Sequence, residues 1–180
     1  TGAQAYLTGA RTDYDILTIQ DKSIITNKTV TAAKTADPTF NANRQGTYKI
    51  TGTSIDTTYS GTVAGQSWTV TTTSTDTYDQ ALTKIKTAID NLSISGLTTT
   101  KLKDNIRLTR NASFTLTGTA GPFSNQANVF QDQVATLDEL PSESVHNHVV
   151  KVVNSGALTS AYFLKYVANN GTSGPGYYEE

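Results

Sequence analysis

The sequence predicts a mainly β fold of the α+β class, in which a β-β-α-β-β module lies between two all-β segments. Threonine dominates the polar residues, and Thr-rich stretches such as residues 69–77 favour extended backbone, because β-branched side chains suit a pleated surface. Short runs alternate apolar and polar residues, whereas residues 77–91 have the apolar spacing of a helix. The 180 residues suffice for one large domain or two small ones.

The first segment, residues 1–43, is predicted to be an all-β flank with a hairpin at 14–33. One strand contains Ile16, Leu17 and Ile19, and the other begins with Ile24 and Ile25. The polar residues 20–23 between them predict the turn. Residues 34–45 are predicted to form a loop, because they contain Asp-Pro and Asn-rich sequences.

The module is predicted at residues 44–118. Its strands are expected around Tyr48 and Ile50, Trp68 and Val70, Ile106 and Leu108, and Phe114 and Leu116, because these residues alternate with polar ones. A loop rich in Gly, Ser and Thr is expected between the first two strands, at Gly52, Gly61 and Gly65. One helix covering one face of a mainly antiparallel sheet is the expected architecture.

The helix at 77–91 is predicted from a single apolar stripe. Asp76 is expected to cap its start, with Asp79 near the positive end of the helix and Lys84 and Lys86 toward the negative end. The stripe is expected to pack on the sheet that carries Trp68 and Leu108. Its members are Tyr78, Ala81, Leu82, Ile85, Ala88 and Ile89.

The last segment, residues 119–180, is predicted to be an irregular link up to about 143, followed by a β-meander. Gly121-Pro122 and Leu140-Pro141 interrupt the link. The meander strands are expected at 145–153, 161–167 and 177–180, separated by Asn- and Gly-rich loops at 154–156 and 169–176.

The composition gives no sign of a nucleic-acid-binding surface. Fourteen Lys and Arg residues and fifteen Asp and Glu residues leave a formal net charge of −1, without a block of like charges. If DNA passes along this protein, a near-neutral channel surface would let it slide, because contacts to the phosphates are what retain DNA. The absence of Cys excludes disulfides and thiolate chemistry, and no apolar run approaches the ~20 residues of a membrane span.

The two ends of the sequence predict an excerpt of a longer polypeptide. Residues 1–4 lack the basic and apolar regions of a signal peptide, and the chain contains no Met. Residues 177–180 are typical of a strand that is cut short.

His146 and His148 are the two histidines of the chain. On one strand, this spacing places both side chains on the same face, where a His-x-His pair can bind a metal. A closed site needs further ligands, either from a symmetry mate or from a nearby carboxylate such as Asp138, Glu139 or Glu143. An ordinary exposed pair is the favoured interpretation, so no metal-binding residue and no cofactor is predicted.

The chain is not expected to be an enzyme, and no catalytic residue is predicted. It lacks the Gly-x-Ser-x-Gly elbow that would support a Ser–His–Asp triad, and it lacks phosphate and dinucleotide loops. Each carboxylate pair that could serve a glycosidase is explained by a helix start, a loop or a terminal strand. These pairs are Asp76 with Asp79, Asp138 with Glu139, and Glu179 with Glu180.

Three aromatic residues, Trp68, Tyr177 and Tyr178, could stack on sugar rings. Trp68 alternates with Thr. The favoured interpretation therefore makes Trp68 a core or cross-strand residue.

Three stretches together form a pattern that extends over most of the chain. The first is Asp13-Tyr14-Asp15-Ile16-Leu17 followed by Asn27-Lys28-Thr29-Val30, and the second is the order of elements from Tyr48 to Leu116. The third joins Leu140-Pro141, Val149-Val150-Lys151-Val152, Tyr162-Phe163-Leu164-Lys165-Tyr166 and Gly176-Tyr177-Tyr178-Glu179-Glu180. The pattern resembles the tail nozzle (tail tubular protein B) family of short-tailed bacteriophages.

The third stretch departs from the family's pattern at three positions. His148 stands where Gly is usual, Phe163 replaces a Tyr, and a Tyr replaces the Trp near the end. These are strand and turn positions, so the departures concern local packing.

The resemblance implies a structural virion protein of the phage tail. Nozzles of this family form a ring of six subunits below an adaptor ring and extend the tube through which DNA leaves. Their subunits have propeller-like β bodies with inserted modules. The implied partners are further copies of the chain, the adaptor ring, tail fibres and DNA in passage, and the implied role includes a platform for tail assembly.

Two other functions fit a β-rich, Thr-rich chain of this kind. One is a receptor-binding or adhesion module of a phage tail. The other is a tail-associated glycan hydrolase.

Overall fold

The computed structural model describes residues 7–19, 22–29, 43–51, 57–121, 126–153 and 161–180. The chain divides into two compact units, Thr1–Asp37 and Pro38–Glu180. In the described part, strands form five sheets and there is one α-helix. The prediction of a mainly β fold of the α+β class is confirmed.

The first unit contains an antiparallel hairpin of β1 (Tyr14–Ile19) and β2 (Lys22–Asn27). A short 3-10 helix, Arg11–Asp13, precedes it. The hairpin was predicted, but its turn is shorter than predicted, because Lys22 and Ser23 pair with β1. Residues 20, 21 and 30–42, on which the rest of the turn and most of the predicted loop fall, lie outside the described residues.

The second unit begins with two sheets and the helix. One sheet has the strand order β6-β7-β3-β9 and the other β5-β4-β8, and all their pairings are antiparallel. The elements are β3 (Gln45–Ile50), β4 (Thr58–Val63), β5 (Gln66–Thr71), α1 (Tyr78–Asp90), β6 (Leu97–Lys101), β7 (Asn105–Arg110), β8 (Leu116–Gly121) and β9 (Ala127–Phe130).

Strand β4 was predicted to be a loop, and this prediction is wrong. The apolar positions of β4 are Tyr59 and Val63, and Gly61 between them hides the alternation. Gly61 is required by close approach, because a Cβ there would collide with the carbonyl oxygen of Thr117 on β8. Strands β6 and β9 were also missed, and the last strand of the predicted module begins at Leu116 rather than at Phe114.

Helix α1 buries the predicted stripe. Leu82, Ile85 and Ile89 are fully buried in one core with Trp68 and Leu108. Trp68 and Leu108 lie on different sheets, so the helix packs on two sheets and not on one as predicted.

Thr77 caps the helix, not Asp76 as predicted. The Thr77 hydroxyl accepts the Gln80 N–H, and the Gln80 side chain accepts the Thr77 N–H at 2.8 Å. Asp76 instead accepts the Thr73 N–H at 2.7 Å and pairs with Lys84 at 2.6 Å. Asp79 lies in the first turn as predicted, but the last turn has no basic residue.

Three consecutive antiparallel strands lie near the end of the chain, where the meander was predicted, but the first spans Val149–Val152 and not 145–153. Their sheet has the order β10-β12-β13-β15, in which the last three strands are antiparallel and β10 pairs with β12 in parallel. Strands β11 and β14 form a separate two-stranded antiparallel ladder, and β14 lies within the segment predicted to be a loop at 169–176. The elements are β10 (Gln133–Val134), β11 (Ser144–Val145), β12 (Val149–Val152), β13 (Tyr162–Ala168), β14 (Ser173–Gly174) and β15 (Gly176–Glu179).

The meander has a hydrophobic core of its own, formed by Phe130, Val134, Leu140, Val150, Val152 and Leu164. Residues 119–143 contain β9, β10 and the end of β8, so the prediction of an irregular link there is wrong. The predicted loop at 154–156 lies outside the described residues. The domain boundaries at 43/44 and 118/119 and the propeller-like character of the flanks stay predictions.

Candidate functional site

His146 and His148 do not lie on one strand, so the interpretation that places them on one face is wrong. Strand β11 ends at Val145, and Asn147 has a left-handed φ of 64° that turns the chain between the two histidines. Nδ1 of His146 accepts the Ala168 N–H at 3.3 Å. Among the described residues, no group of three or more His, Cys, Asp or Glu side chains could hold a metal.

His148 is buried and hydrogen-bonded to Ser144, with 2.7 Å between Nδ1 and Oγ. Ser144 is fully buried as well, and Nε2 of His148 has no hydrogen-bond partner. A serine nucleophile must reach its substrate, and its histidine must be oriented by a third group. The Ser144–His148 pair has neither feature, so its geometry is that of a structural contact.

Four of the six carboxylates in the three pairs considered for glycosidase chemistry make hydrogen bonds or ion pairs. Asp79 pairs with Lys101 at 2.7 Å and Glu179 pairs with Lys165 at 2.8 Å. Glu139 accepts the Ala135 N–H at 2.6 Å. The fourth contact is the ion pair of Asp76 with Lys84.

Trp68 belongs to the core, as predicted. It is 5% exposed and packs edge-to-face on Tyr48, with 5.2 Å between ring centroids. Tyr178 packs in the same way on Tyr166 at 4.8 Å. Of the three aromatic residues considered for sugar stacking, Tyr177 is the exposed one, at 56%.

The outer side of the sheet β5-β4-β8 is a face made of hydroxyl side chains. Cross-strand rows of Thr and Ser lie opposite the buried row that contains Tyr59 and Val63. This hydroxyl face comprises Thr58, Ser60, Thr62, Ser67, Thr69, Thr71, Thr117 and Thr119. Thr58 bonds to Thr71 at 3.0 Å and Thr62 to Thr117 at 2.7 Å.

A shallow, open hollow of about 400 Å³ lies on the hydroxyl face. Ser60, Thr62, Ser67, Thr117 and Thr119 line it, together with Gly61, Gly118 and Trp68 of the same strands. The hollow has no charged group in its lining, so it offers neutral hydrogen-bond donors and acceptors.

Six buried polar residues form a second feature, which we call the polar seam. Four of them lie on one face of β3 and β7, namely Gln45, Thr47, Asn105 and Arg107. They alternate with Tyr48, Ile50, Ile106 and Leu108, which belong to the core that also contains the buried side of α1. We call this core the helix-side core, and the four polar residues lie on the face opposite to it. Ser144 and His148 come from the C-terminal part of the chain.

Arg107 is the centre of the polar seam. Its Nη1 donates to the Gly46 carbonyl at 3.0 Å and to the Thr47 hydroxyl at 3.3 Å, and its Nη2 donates to Oε1 of Gln45 at 2.5 Å. Nε2 of Gln45 in turn donates to the Val149 carbonyl of β12 at 2.8 Å. The chain of bonds therefore ties the sheet of β3 and β7 to the meander sheet.

Burial governs the electrostatics of the polar seam. Loss of solvent lowers the pKa of Arg107 to about 9, partly offset by Tyr178 and Asp132. Burial, and then the positive charge of Arg107, lowers the pKa of His148 well below its usual value. Burial also raises the pKa of Tyr178, so its phenol stays protonated.

A comparison with known protein families identifies the family of this chain. The model of the bacteriophage nozzle protein family matches residues 1–178. The chain belongs to the bacteriophage nozzle protein family. No curated protein matches it.

Membership makes the nozzle chain a structural protein of the virion, located in the phage tail, where it assembles with other tail proteins. The resemblance inferred from its motifs is confirmed. Among the described residues, no helix has both the length and the apolarity needed to cross a membrane.

The polar seam of the nozzle chain was not predicted. Gln45, Thr47 and Arg107 are the polar members of alternating strands, and such residues normally face solvent. A second layer covers that side of the sheet, and the local pattern contains no signal of it.

Proposed function

We propose that the nozzle chain forms part of the wall of the DNA-ejection tube and a platform for tail assembly. In this role the full-length protein makes a ring of six subunits below the adaptor ring, next to the tail fibres. The family match over residues 1–178 carries the proposal. The near-neutral charge supports it, because few cationic groups would hold the passing phosphates.

Electron microscopy of intact tails tests this proposal. The density of residues 43–180 is expected in the wall of a six-fold ring around the DNA path. Density on a distal fibre, away from the tube, would refute the assignment to the wall.

We propose further that the nozzle chain does not cleave glycans. The carboxylate contacts to Lys84, Lys101 and Lys165 support this, because they give structural roles to the acids. Incubation with peptidoglycan and capsular polysaccharide is expected to release no reducing ends. Turnover that disappears when Asp138 and Glu139 are replaced by Asn and Gln would contradict this expectation.

A second candidate function, adhesion, is favoured by one observation, the hollow on the hydroxyl face. Its uncharged lining of hydroxyls matches the hydrogen-bonding groups of a neutral glycan. Calorimetric titration with neutral oligosaccharides tests it. Saturable binding that Ser60→Ala and Thr117→Ala abolish would favour adhesion, and absence of heat would leave the tube-wall role as the proposal.

A further inference from the structure

The loop after β13 contains Asn170-Gly171, which is the one Asn-Gly pair of the chain. Asparagine is a thermolabile residue, because the main-chain nitrogen of the next residue can attack its side-chain amide carbon. Glycine hinders this attack least, since it has no Cβ and few restrictions on its backbone. Asn170 and Gly171 are both exposed, so water and base reach them. The pair therefore has the chemistry and the access for spontaneous deamidation.

Deamidation of this pair passes through a cyclic succinimide. Solvent base removes the proton of the Gly171 nitrogen, this nitrogen forms a bond to Cγ of Asn170, and the bond from Cγ to Nδ2 breaks. Nδ2 takes up a proton and leaves as ammonia. Water then adds to either carbonyl of the ring and opens it, which gives aspartate or isoaspartate without any oxidant or reductant.

Three hydrogen bonds hold the side-chain amide of Asn170. Its Oδ1 accepts the Thr172 N–H at 2.9 Å, the Thr172 hydroxyl at 3.0 Å and the Ser173 N–H at 3.0 Å. Bonds of this kind, from a side chain to the main chain that follows it, are typical of asparagine in turns. They restrict the rotation of the side chain that ring closure requires.

The attacking nitrogen is held as well. The Gly171 N–H donates to the Ala168 carbonyl at 2.9 Å. When the proton leaves, the electron pair that would form the new bond lies along the former N–H direction, so it points at the Ala168 oxygen. A hydrogen bond to the neutral form of a group also disfavours its charged form, so this contact opposes removal of the proton. The turn therefore protects the pair by hydrogen bonds and not by burial.

The turn is kept closed by the short ladder that follows it. The His146 N–H donates to the Thr172 carbonyl at 2.7 Å, and β14 pairs with β11 directly after the turn. The Tyr166 hydroxyl donates to the Gly174 carbonyl of β14 at 2.6 Å. Strand β14 is two residues long and half-buried. Short, partly exposed segments open at a lower free energy than buried strands.

We propose that Asn170 is a site of spontaneous deamidation, which the turn suppresses while β14 is paired with β11 and which reacts when this ladder opens and the rest of the fold stays intact. The isoaspartate product has an additional main-chain carbon before Gly171, so the turn and the register of β14 on β11 do not form again. Each opening that reacts therefore leaves a permanent mark. The proposal goes beyond the tube-wall role.

Incubation of the folded chain at mildly alkaline pH, beside the same chain unfolded in urea, tests the suppression. Mass spectrometry of the digested chain measures the conversion of the Asn170 amide to an acid, and an isoaspartyl methyltransferase assay measures isoaspartate. The folded chain is expected to react roughly tenfold or more slowly, because several hydrogen bonds must break first. Equal rates, or no product at Asn170 in the unfolded chain, would overturn the proposal.

Thr172→Val tests the turn itself, because it removes one of the three donors to Oδ1 and keeps a β-branched shape at an exposed position. When folded, this variant is expected to react faster than the unaltered chain, and when unfolded, at the same rate. The matched control is Thr69→Val at an exposed position of β5, which is expected to leave the rate at Asn170 unchanged. A folded Thr172→Val chain that reacts as slowly as the unaltered chain would contradict the role of the turn.

Leu82→Ala separates opening of the ladder from global unfolding. Leu82 lies in the helix-side core, so its truncation raises the fraction of fully unfolded chain. The rate at Asn170 is expected to stay unchanged in this variant. A rate that rises in proportion to the unfolded fraction would show that the reaction needs global unfolding, and it would overturn the proposal.

Discussion

The positively charged guanidinium of Arg107 is buried, and the acceptors of its described hydrogen bonds are neutral. Its described hydrogen bonds go to a carbonyl, a hydroxyl and an amide oxygen, of Gly46, Thr47 and Gln45. A buried charge without a carboxylate in contact is costly, and its field extends to the neighbouring side chains. His148 is the group that responds to it within the ordinary pH range.

We predict that stability falls as the pH falls below about 6.5, the usual pKa of histidine. Folded His148 resists protonation, because burial and Arg107 lower its pKa, whereas the unfolded chain takes up the proton. Among the described residues, Ser144 is hydrogen-bonded to His148 and the positive charge of Arg107 acts on it. This histidine contributes a slope of at most about 1.4 kcal/mol per pH unit.

Urea unfolding at pH 7.5 and 5.5 measures this dependence. His148→Gln preserves a hydrogen-bonding side chain and removes the titration, so it is expected to reduce the pH dependence. An equal loss of stability on acidification in both proteins would show that other groups are responsible.

At the scale of the elements, α1 packs on both the sheet β6-β7-β3-β9 and the sheet β5-β4-β8. Its buried side is apolar, and its exposed side carries Thr83, Lys86 and Thr87. Its start is held by the capping box of Thr77 and Gln80. The two sides and the cap make different contributions to stability, and each can be tested alone.

Leu82→Ala is predicted to lower the free energy of unfolding by about 2–5 kcal/mol, because Leu82 is fully buried between the sheets. Chemical denaturation measures the loss. The matched control is Thr83→Ala on the exposed side, which is expected to change stability by about 0.5 kcal/mol or less. Equal effects of the two substitutions would place the stripe outside the core.

Thr77→Ala is predicted to lower the free energy of unfolding by about 1 kcal/mol, because it removes the acceptor for the Gln80 N–H. Thr77→Ser keeps that acceptor and is expected to remain close to the unaltered chain. Thermal unfolding of both variants measures the difference. If the serine variant loses as much as the alanine variant, the cap is not the cause.

At the scale of the whole molecule, the hairpin is the described element on which several exposed aliphatic residues lie together. The hairpin exposes Ile16, Leu17, Ile24 and Ile25, between 41% and 65% each. Ile16 pairs with Ile25 and Leu17 with Ile24, and because neighbouring residues of a strand point to opposite sides, both sides of the ribbon carry aliphatic residues.

We predict that the isolated chain is a monomer or associates weakly. In the proposed ring, each subunit needs two different complementary surfaces, and the proposed adaptor ring that would template assembly is not present with the isolated chain. Light scattering at tens of micromolar is expected to give a mass near the 19.2 kDa of one chain. Any weak association is expected to decrease in a double variant that carries both Ile16→Thr and Leu17→Thr. A stable hexamer would show that residues 1–180 contain all ring-forming surfaces.

Sequence patterns predicted the elements whose apolar residues are close together in the chain. Helix α1 and strands β3, β5 and β7 fall in this group, as do the three meander strands. Strand β4 was missed because Gly61 interrupts its apolar side, although the approach of β8 is what requires that glycine. Strand β6 was missed because its residues 98–100 are all Thr, which gives no alternation.

The sequence by itself determined the mainly β class, the amphipathic helix, the meander and the family, because periodicity and short motifs are local properties of the chain. Tertiary structure alone decided that the helix packs on two sheets and that Gln45, Thr47 and Arg107 are buried. A residue's polarity says which surroundings it prefers, but its burial depends on which distant element covers it. The polar seam is therefore a property of the assembled layers, and no segment of the sequence encodes it alone.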